Sequence, residues 1–257
     1  MTRAASTAWL DADWPAPRGV RALTTLRHGL GNSLAPFDAL NLGLRCGDDT
    51  ATVIENRHQL AAALGLPSAP RWLRQVHGID VAIEPGVDEP EADAAVTSAP
   101  GTVLAILTAD CLPVVFAAKD GSEIAAAHAG WRGMADGMLE ATLAAMRTPA
   151  NKIIAWLGPC AGPEAYEIGQ DVFDAFVTPD ANAASAFMAT RPGHWKVDLY
   201  ALARKRLAAA GITADNIHGG GLCTISDPSR FFSHRRSASD GTGHSGRMAT
   251  LIWREDV

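Results

Sequence analysis

An aspartate and a cysteine stand side by side between two apolar segments, in LTADCLPVVF (residues 107–116). The preceding TVLAIL and the following VVFAA are both typical of buried strands. Asp110 and Cys111 are therefore predicted to lie at the end of a strand. A carboxylate there can act as a general acid or base, and a thiol can act as a nucleophile or a metal ligand.

A histidine is brought to the same place by a predicted β-hairpin. The dipeptide Asp120-Gly121 separates VVFAA from EIAAAHA, and Asp-Gly between two strands favours a two-residue type I′ turn. Counting back from that turn places Pro113 opposite His128, and Cys111 shares a face with Pro113. We therefore expect the Cys111 thiol and the His128 imidazole to reach a common atom.

A thiol beside an imidazole is compatible with three roles. The imidazole can activate the thiolate as a nucleophile, or both groups can bind a metal ion together with a third ligand. The remaining role is structural, because buried cysteines and histidines are common in protein cores. His77, in RQVHGIDV, is the candidate third ligand, since it stands where a predicted strand meets a glycine.

The segment after His128 is a candidate anion site. Its sequence, AGWRG, is a small-residue turn that opens into a predicted helix, and helix N-termini attract anions. Arg132 lies in the first turn of that helix, where a cation is unfavourable unless an anion binds there. The alternative is an ordinary solvent-exposed arginine.

The surrounding elements mix strands and helices without a strict βαβ alternation. One helix is predicted to begin at Asp49 or Thr50 and to end at Gly65, with a buried side formed by Val53, Ile54, Leu60 and Leu64. Further helices are predicted over 131–148, 169–177 and 197–211.

The predicted strands are 72–83 with a break near Gly78, 102–107, 114–118, 123–129, 153–158, RFFSHRR and GRMATLIWRE. The polar, alanine-rich segment 178–194 favours a surface excursion. We therefore predict one α+β domain over residues 1–257, with mixed β-sheets packed against flanking helices.

Composition limits the class of protein. The chain has 257 residues, 47% of them hydrophobic, and a net charge of −6. The acidic balance and the lack of a basic run argue against nucleic acid as a partner. No apolar stretch approaches the roughly 20 residues that span a bilayer, and the first residues lack the apolar core of a signal peptide. We therefore expect neither a membrane partner nor export.

The four cysteines, Cys46, Cys111, Cys160 and Cys223, form no C-x-x-C pair. We therefore expect free thiols in a cytoplasmic protein. Cys160, in GPCAGP, is expected to be exposed, and Cys46 and Cys223 are expected to be packing residues.

Five motifs together resemble the YfiH family, also called laccase-domain or PgeF-type proteins: LTADCLPVVF, AAHAGWRG, RQVHGIDV, WLGPCAGPEAYEIG and FFSHRR. The resemblance runs from about residue 22 to the C-terminus. It implies an α+β fold and a zinc-binding purine nucleoside phosphorylase that also deaminates adenosine and cleaves methylthioadenosine. Older naming calls the family multicopper polyphenol oxidases. The implied metal ligands are His77, Cys111 and His128. The chain departs from the family pattern at His234, where tyrosine is usual, and at His28, where glycine is usual.

Each of these activities requires a different set of functional groups. Phosphorolysis of adenosine, inosine or methylthioadenosine needs cations that hold phosphate, for which the candidates are Arg27, Arg132, Arg235 and Arg236. Gln75 can read a base edge or a ribose hydroxyl. Asp110 is either a general acid or base, or a carboxylate that orients one of the histidine ligands. Deamination needs a metal that lowers the pKa of a bound water, although the known zinc deaminase signature is absent.

The multicopper name fits the sequence poorly. A multicopper oxidase needs paired His-x-His motifs for its trinuclear copper cluster, whereas the chain has eight histidines and no H-x-H pair. Zn²⁺ at three protein ligands with an open fourth position is the simpler assignment, and Cu²⁺ remains an alternative. Two further classes stay open. One is a Cys111–His128 hydrolase that edits peptidoglycan precursors, and the other is a non-catalytic binder of metal or nucleoside.

Overall fold

Two β-sheets stacked face to face carry the candidate residues in the computed structural model, which describes residues 8–255. In spatial order, the four-stranded sheet consists of β1 (Trp9–Asp11), β2 (Val20–Thr25), β13 (Met248–Arg254) and β5 (Val103–Thr108). The six-stranded sheet consists of β12 (Ile217–Gly219), β8 (Ile153–Leu157), β6 (Leu112–Ala118), β7 (Ile124–Ala129), β4 (Ala94–Thr97) and β3 (Val81–Ile83). Its β3–β4 and β8–β12 pairs are parallel and the others antiparallel, so the sheet is mixed as predicted.

Apolar side chains from both sheets fill the space between them. Leu104 and Ile106 of β5 pack there with Ile124 and Ala126 of β7. Helices cover the outer faces: α1 (Thr50–Leu64) packs on the four-stranded sheet, and α3 (Met138–Ala145), α4 (Gln170–Val177) and α5 (Leu199–Ala209) pack on the six-stranded sheet. The layers are therefore helix, sheet, sheet, helix, which confirms the predicted α+β class.

Local signals determined α1 correctly at both ends. The Asp49 side chain accepts the Thr52 backbone N–H at 2.8 Å, and Gly65 ends the helix with φ of 59°. One detail of the predicted buried side is wrong, because Ile54 is 43% exposed. Asn56 is buried instead and donates to the Asn41 carbonyl at 2.9 Å. Across residues 8–255, no helix combines the length and the apolar character required to cross a membrane.

Three predicted elements differ in the structure. The helix over 131–148 is divided at Gly137, whose φ of 104° separates α2 (Trp131–Asp136) from α3. Most of the strand predicted over 72–83 is a loop, and only β3 remains. RFFSHRR is not a strand: it leads into α6 (His234–Ser239), whose N-terminus is capped by the Ser233 hydroxyl accepting the Arg236 N–H at 3.1 Å.

The segment predicted as a surface excursion contributes a third, smaller sheet. It begins with a 3₁₀ helix (Ala181–Ala186) and continues into β10 (Phe187–Arg191) and β11 (His194–Val197), which pairs with β9 (Glu167–Gly169). Aromatic rings attach this sheet to α4, because the Phe173 ring stacks on Trp195 with 4.2 Å between centroids.

Candidate metal centre between two clefts

The β6–β7 hairpin has the predicted register. Pro113 pairs with His128, so the count back from the turn was correct. The turn class is different: Gly121 has φ of 74°, but Asp120 is not among the non-glycine residues with positive φ in the described chain. A type I′ turn needs positive φ at both central residues. The register was therefore right although the turn type was wrong.

His77, Cys111 and His128 converge, with their ligand atoms all within 4.8 Å of one another. The Cys111 sulfur lies 3.7 Å from His77 Nε2, and the two imidazole ring centroids are 4.7 Å apart. Ligands at 2.0–2.3 Å around a tetrahedral zinc are separated by about 3.5 Å. The donor set and its spacing therefore fit a zinc ion. Because His128 is buried and His77 is exposed, the group is open on one side.

Gly130 leaves the space in which the three side chains meet. A Cβ at this position would stand 2.9 Å from His77 Cδ2 and 3.0 Å from the Cys111 sulfur. The Gly130 backbone, with φ of −59° and ψ of 158°, is accessible to any residue. Glycine is therefore required here for space and not for backbone freedom.

Asp93 holds two of the three side chains in place, and the sequence analysis missed it. Its buried carboxylate lies 2.7 Å from His128 Nδ1 and accepts the backbone N–H groups of Val76, His77 and Gly78 at 3.1, 3.0 and 2.8 Å, respectively. Because Nδ1 is engaged, His128 presents Nε2 to Cys111. The three backbone bonds fix the loop on which His77 adopts φ of 63°. In the sequence, the only sign of this role is that Asp93 directly precedes the apolar residues of β4.

Burial and charge oppose each other at these groups. Burial disfavours the Cys111 thiolate, but the His128 charge and hydrogen bonds from both histidines outweigh it and lower the thiol pKa to about 6. Burial likewise disfavours a charged His128, but the Cys111 thiolate and Asp93 raise its pKa to about 9. For Asp93, hydrogen bonding to His128 and to the loop overcomes burial and lowers the pKa. At neutral pH, Cys111 is therefore a thiolate, the form that binds metals and attacks electrophiles.

In the described chain, none of the hydrogen bonds of the Asp110 side chain involves His77 or His128. Its carboxylate accepts from Thr224 Oγ1 at 2.6 Å, from Ser233 Oγ at 3.0 Å and from the Arg235 backbone N–H at 2.6 Å. These bonds attach Thr224 and the N-terminus of α6 to the link between β5 and β6. The carboxylate that orients a histidine is therefore Asp93, and not Asp110 as the alternative assignment proposed.

Two clefts meet at Cys111. Cleft A, of about 190 Å³, is lined by all three candidate ligands together with Leu73, Gln75, Leu107, Thr108, Ala109, Arg247 and residues 43–46. Cleft B, of about 200 Å³, is lined by Ala109, Asp110, Cys111, Trp131, Tyr166, Leu199, His234 and Arg235. Ala109 and Cys111 belong to both clefts. A molecule in either cleft can therefore reach the same sulfur.

Arg235 is the one candidate arginine that lines a cleft with Cys111. Its guanidinium lies 4.9 Å from the centroid of the Tyr166 ring and donates to the Glu167 carbonyl at 2.5 Å. Arg132 instead stacks on the Trp131 ring at 4.3 Å and lines neither cleft A nor cleft B.

The other two arginines are engaged elsewhere. Arg27 forms an ion pair with Asp38 at 3.2 Å. Arg236 donates to three backbone carbonyls, those of Thr224, Ile225 and Phe231. Both guanidinium groups therefore serve loop structure around α6.

The amide of Gln75 lines cleft A but is already paired. Its side chain donates to the Leu107 carbonyl and accepts the Leu107 N–H, both at 2.8 Å. This bond pair joins the His77 loop to β5. Of the residues that depart from the family pattern, His234 lines cleft B, whereas His28 is exposed and lines neither cleft.

The other cysteines are free thiols, as expected. Cys160 is fully buried, so the expected exposure is wrong, and burial raises its pKa. Cys223 accepts the Gly162 N–H at 3.2 Å, consistent with a packing role. Cys46 lies in the wall of cleft A.

The stacked sheets and the His₂Cys group at the end of their shared core define an α+β protein with a candidate metal centre. Residues 21–255 match the family described as multi-copper polyphenol oxidoreductase laccase. The chain belongs to this family, which is also known as the YfiH or DUF152 family.

Relatives cover nearly the whole chain. A Xylella fastidiosa protein named purine nucleoside phosphorylase is 62% identical over 95% of this chain and 96% of its own length. The purine nucleoside phosphorylase YfiH of Escherichia coli is 48% identical over 93% and 96%. Among solved structures, a DUF152 protein of Neisseria meningitidis superposes with a TM-score of 0.90 at 44% identity, covering 97% of this chain and 100% of that one. YlmD of Geobacillus stearothermophilus has a TM-score of 0.90 at 32% identity, covering 99% and 98%.

Proposed function

We propose that this protein is a zinc-dependent purine nucleoside phosphorylase. It cleaves adenosine, inosine and methylthioadenosine with phosphate and deaminates adenosine as a side activity, with residues 1–257 acting as one catalytic domain. The observation that carries the proposal is the position of Cys111 where two clefts join, one containing both histidines and the other containing Arg235. Relatives at 48–62% identity that are named purine nucleoside phosphorylases support it.

The two clefts suit the two substrates of phosphorolysis. Cleft A has apolar walls at Leu73 and Leu107, which suit the faces of a purine. Cleft B contains Arg235, whose planar guanidinium can hold phosphate oxygens in pairs. Phosphate must approach the ribose carbon that bears the base, so the two ligands have to meet. The junction at Cys111 is where molecules in the two clefts come together.

His77, Cys111 and His128 are the residues that would hold the zinc ion. When bound, zinc supplies a Lewis acid beside both substrates. The protein's own contribution is positioning: Asp93 keeps His128 in the tautomer with a free Nε2, and Gly130 keeps the meeting point clear. Asp110 holds the backbone of Arg235 and thereby places the phosphate-binding side chain.

The laccase description of the family does not enter this proposal. A multicopper oxidase needs a trinuclear cluster in addition to a mononuclear copper. In residues 8–255, His77, Cys111 and His128 are the single group of three ligating side chains that lie close enough to share an ion. One copper ion in place of zinc is therefore the most that this group could hold, and metal analysis distinguishes the two.

The proposal is tested by metal content and by nucleoside cleavage. Protein purified without added metal should contain about one zinc per chain and should release free base from inosine only when phosphate is present. Cys111→Ala should lose both metal and activity. Cys111→Asp should retain some of each, because aspartate is also a zinc ligand. Phosphate-independent turnover, or a metal-free active protein, would contradict the assignment.

The phosphate site is tested separately with two arginine variants. Arg235→Ala should raise the KM for phosphate at least tenfold, because removing a bidentate charged partner costs about 1.5–3 kcal/mol. Arg132→Ala serves as the matched control, since Arg132 is exposed and lines neither cleft A nor cleft B. A rise in KM confined to Arg132→Ala would instead support phosphate at the start of α2.

A second function is favoured by one specific observation. The Cys111 thiolate, His128 and Asp93 form a nucleophile, base and orienting carboxylate in series, the arrangement used by cysteine hydrolases. Such an enzyme would cleave an amide, as in the editing of peptidoglycan precursors. Removal of metal by a chelator distinguishes the two functions: the hydrolase would stay active and form a covalent adduct on Cys111, whereas the phosphorylase would regain activity only when zinc is returned.

A further inference from the structure

Thr108, at the end of β5, has a buried hydroxyl without a hydrogen-bond partner among the described residues. The residue is 2% exposed, so bulk water does not satisfy the group. Burying a hydroxyl without a partner is unfavourable, and most buried polar atoms in native proteins are paired. Thr108 therefore needs an explanation that the protein's own contacts do not provide.

The register of the sheets shows where Thr108 faces. Leu104 and Ile106 of β5 point into the space between the sheets, opposite Ile124 of β7. Every second side chain of a strand points to the same face. Thr108 therefore faces the same way as Leu104 and Ile106 on β5, and His128 faces the same way as Ile124 on β7. The space between the sheets ends at these residues and opens as cleft A, which both of them line.

The neighbouring walls of cleft A are apolar at Leu73, Leu107 and Ala109. A lone hydroxyl among such walls is suited to one directed hydrogen bond with a bound molecule. A hydroxyl can donate and accept. It can therefore pair with the amino group of adenosine or with the oxo group of inosine.

We propose that the Thr108 hydroxyl recognises the polar edge of the purine base of a nucleoside bound in cleft A. This inference rests on the proposed phosphorylase function and adds a specificity-determining residue to it. It accounts for the unpaired hydroxyl, because the missing partner is the substrate. It also explains how one site can accept both amino and oxo purines.

The test compares Thr108→Val, which removes the hydroxyl at constant shape, with Thr108→Ser, which keeps it. Inosine binding is measured by calorimetry in phosphate-free buffer with zinc-loaded protein, and zinc content and Tm are recorded for each variant. Thr108→Val should bind inosine at least about tenfold more weakly, the effect of leaving a ligand atom unpaired, and should raise the KM for adenosine similarly. Thr108→Ser should stay within about threefold of wild type for the same reason.

Thermal stability supplies an independent readout. The Tm of ligand-free Thr108→Val should equal or exceed that of wild type, because an unpaired polar group is removed. The control is Thr142→Val, since the buried Thr142 hydroxyl donates to the Met138 carbonyl at 2.8 Å in α3. That variant should leave inosine binding unchanged. If Thr108→Val does not fold, Thr108→Ala against Thr108→Ser makes the same comparison.

The outcomes are distinct. Inosine binding by Thr108→Val within twofold of wild type would overturn the inference, as would loss of zinc or equal weakening in Thr108→Ser. Failure of the wild-type protein to bind inosine would overturn the proposed function itself.

Discussion

Replacing Asp93 with asparagine tests how the candidate metal centre is held. In the carboxylate, Oδ1 accepts from the His77 N–H and lies against His128 Nδ1, whereas Oδ2 accepts from the N–H groups of Val76 and Gly78. An amide can present an acceptor on one side only. Its NH₂ group must therefore face two of the four partners.

Both orientations are unfavourable. With NH₂ at the Oδ2 position, the N–H groups of Val76 and Gly78 lose their acceptor, at about 1–3 kcal/mol each and about 2–6 kcal/mol together. With NH₂ at the Oδ1 position, His128 Nδ1 has to accept a hydrogen bond. Its proton then moves to Nε2, the nitrogen needed for the metal.

We therefore expect Asp93→Asn to weaken zinc binding about 10–100-fold, the usual effect of removing a carboxylate behind a histidine ligand. The free energy of unfolding of the metal-free protein should fall by at least about 1 kcal/mol, the smallest cost of leaving the one N–H group at the Oδ1 position without an acceptor. Zinc affinity is measured by competition with a chromophoric chelator at pH 7.5, and stability by urea denaturation.

The matched control is Asp80→Asn. Asp80 is exposed, and only its backbone carbonyl contacts Asp93, accepting the N–H at 3.0 Å. This variant should bind zinc like wild type. A zinc Kd for Asp93→Asn within twofold of wild type would refute the argument that this carboxylate sets the tautomer of His128.

The remaining predictions concern protons, space and the phosphate cleft. Near pH 7.5, between the Cys111 pKa of about 6 and the His128 pKa of about 9, metal-free protein holds mainly the thiolate of Cys111 and the doubly protonated imidazolium of His128. Zinc binding should therefore release about one proton at pH 7.5 and fewer above pH 9, since only the neutral imidazole binds metal; calorimetry in buffers of different ionisation enthalpy that finds no release would contradict this. Gly130→Ala should fold but abolish zinc binding, because the methyl group occupies the meeting point, whereas Gly169→Ala should bind normally. Asp110→Ala should lower stability by about 3 kcal/mol, because three donors, two of them buried, lose their acceptor. It should also raise the KM for phosphate, and an unchanged KM would show that Asp110 does not act on the phosphate cleft.

Much of the site could be predicted because its signals are local. The register that pairs Pro113 with His128 follows from the two-residue period of the strands and the length of the turn, and it held although the turn class differed. The ends of α1 likewise follow from a capping aspartate and a glycine a few residues away. His77 was a candidate because it stands where a predicted strand meets a glycine, and the family resemblance implied the same residue; no local pattern connects it with the hairpin.

RFFSHRR shows where local reasoning fails. Its aromatic residues favour a strand, yet the segment enters α6. The Ser233 cap and the acceptance of the Arg235 N–H by Asp110, 125 residues earlier in the chain, stabilise the start of that helix. A propensity measured over a few residues cannot include a partner of this kind.

The sequence by itself determined most of the core strands, the caps of α1 and the hairpin that places Cys111 beside His128, because periodicity and capping act over a few residues. Only the tertiary structure decided that Asp93 orients His128, that the Thr108 hydroxyl has no partner within residues 8–255, and that two clefts meet at one sulfur. These features depend on contacts between segments distant in sequence, such as those of Asp93 and His128, which are 35 positions apart. Many pairings of such segments are compatible with the same local pattern, and the packing of the whole core selects among them.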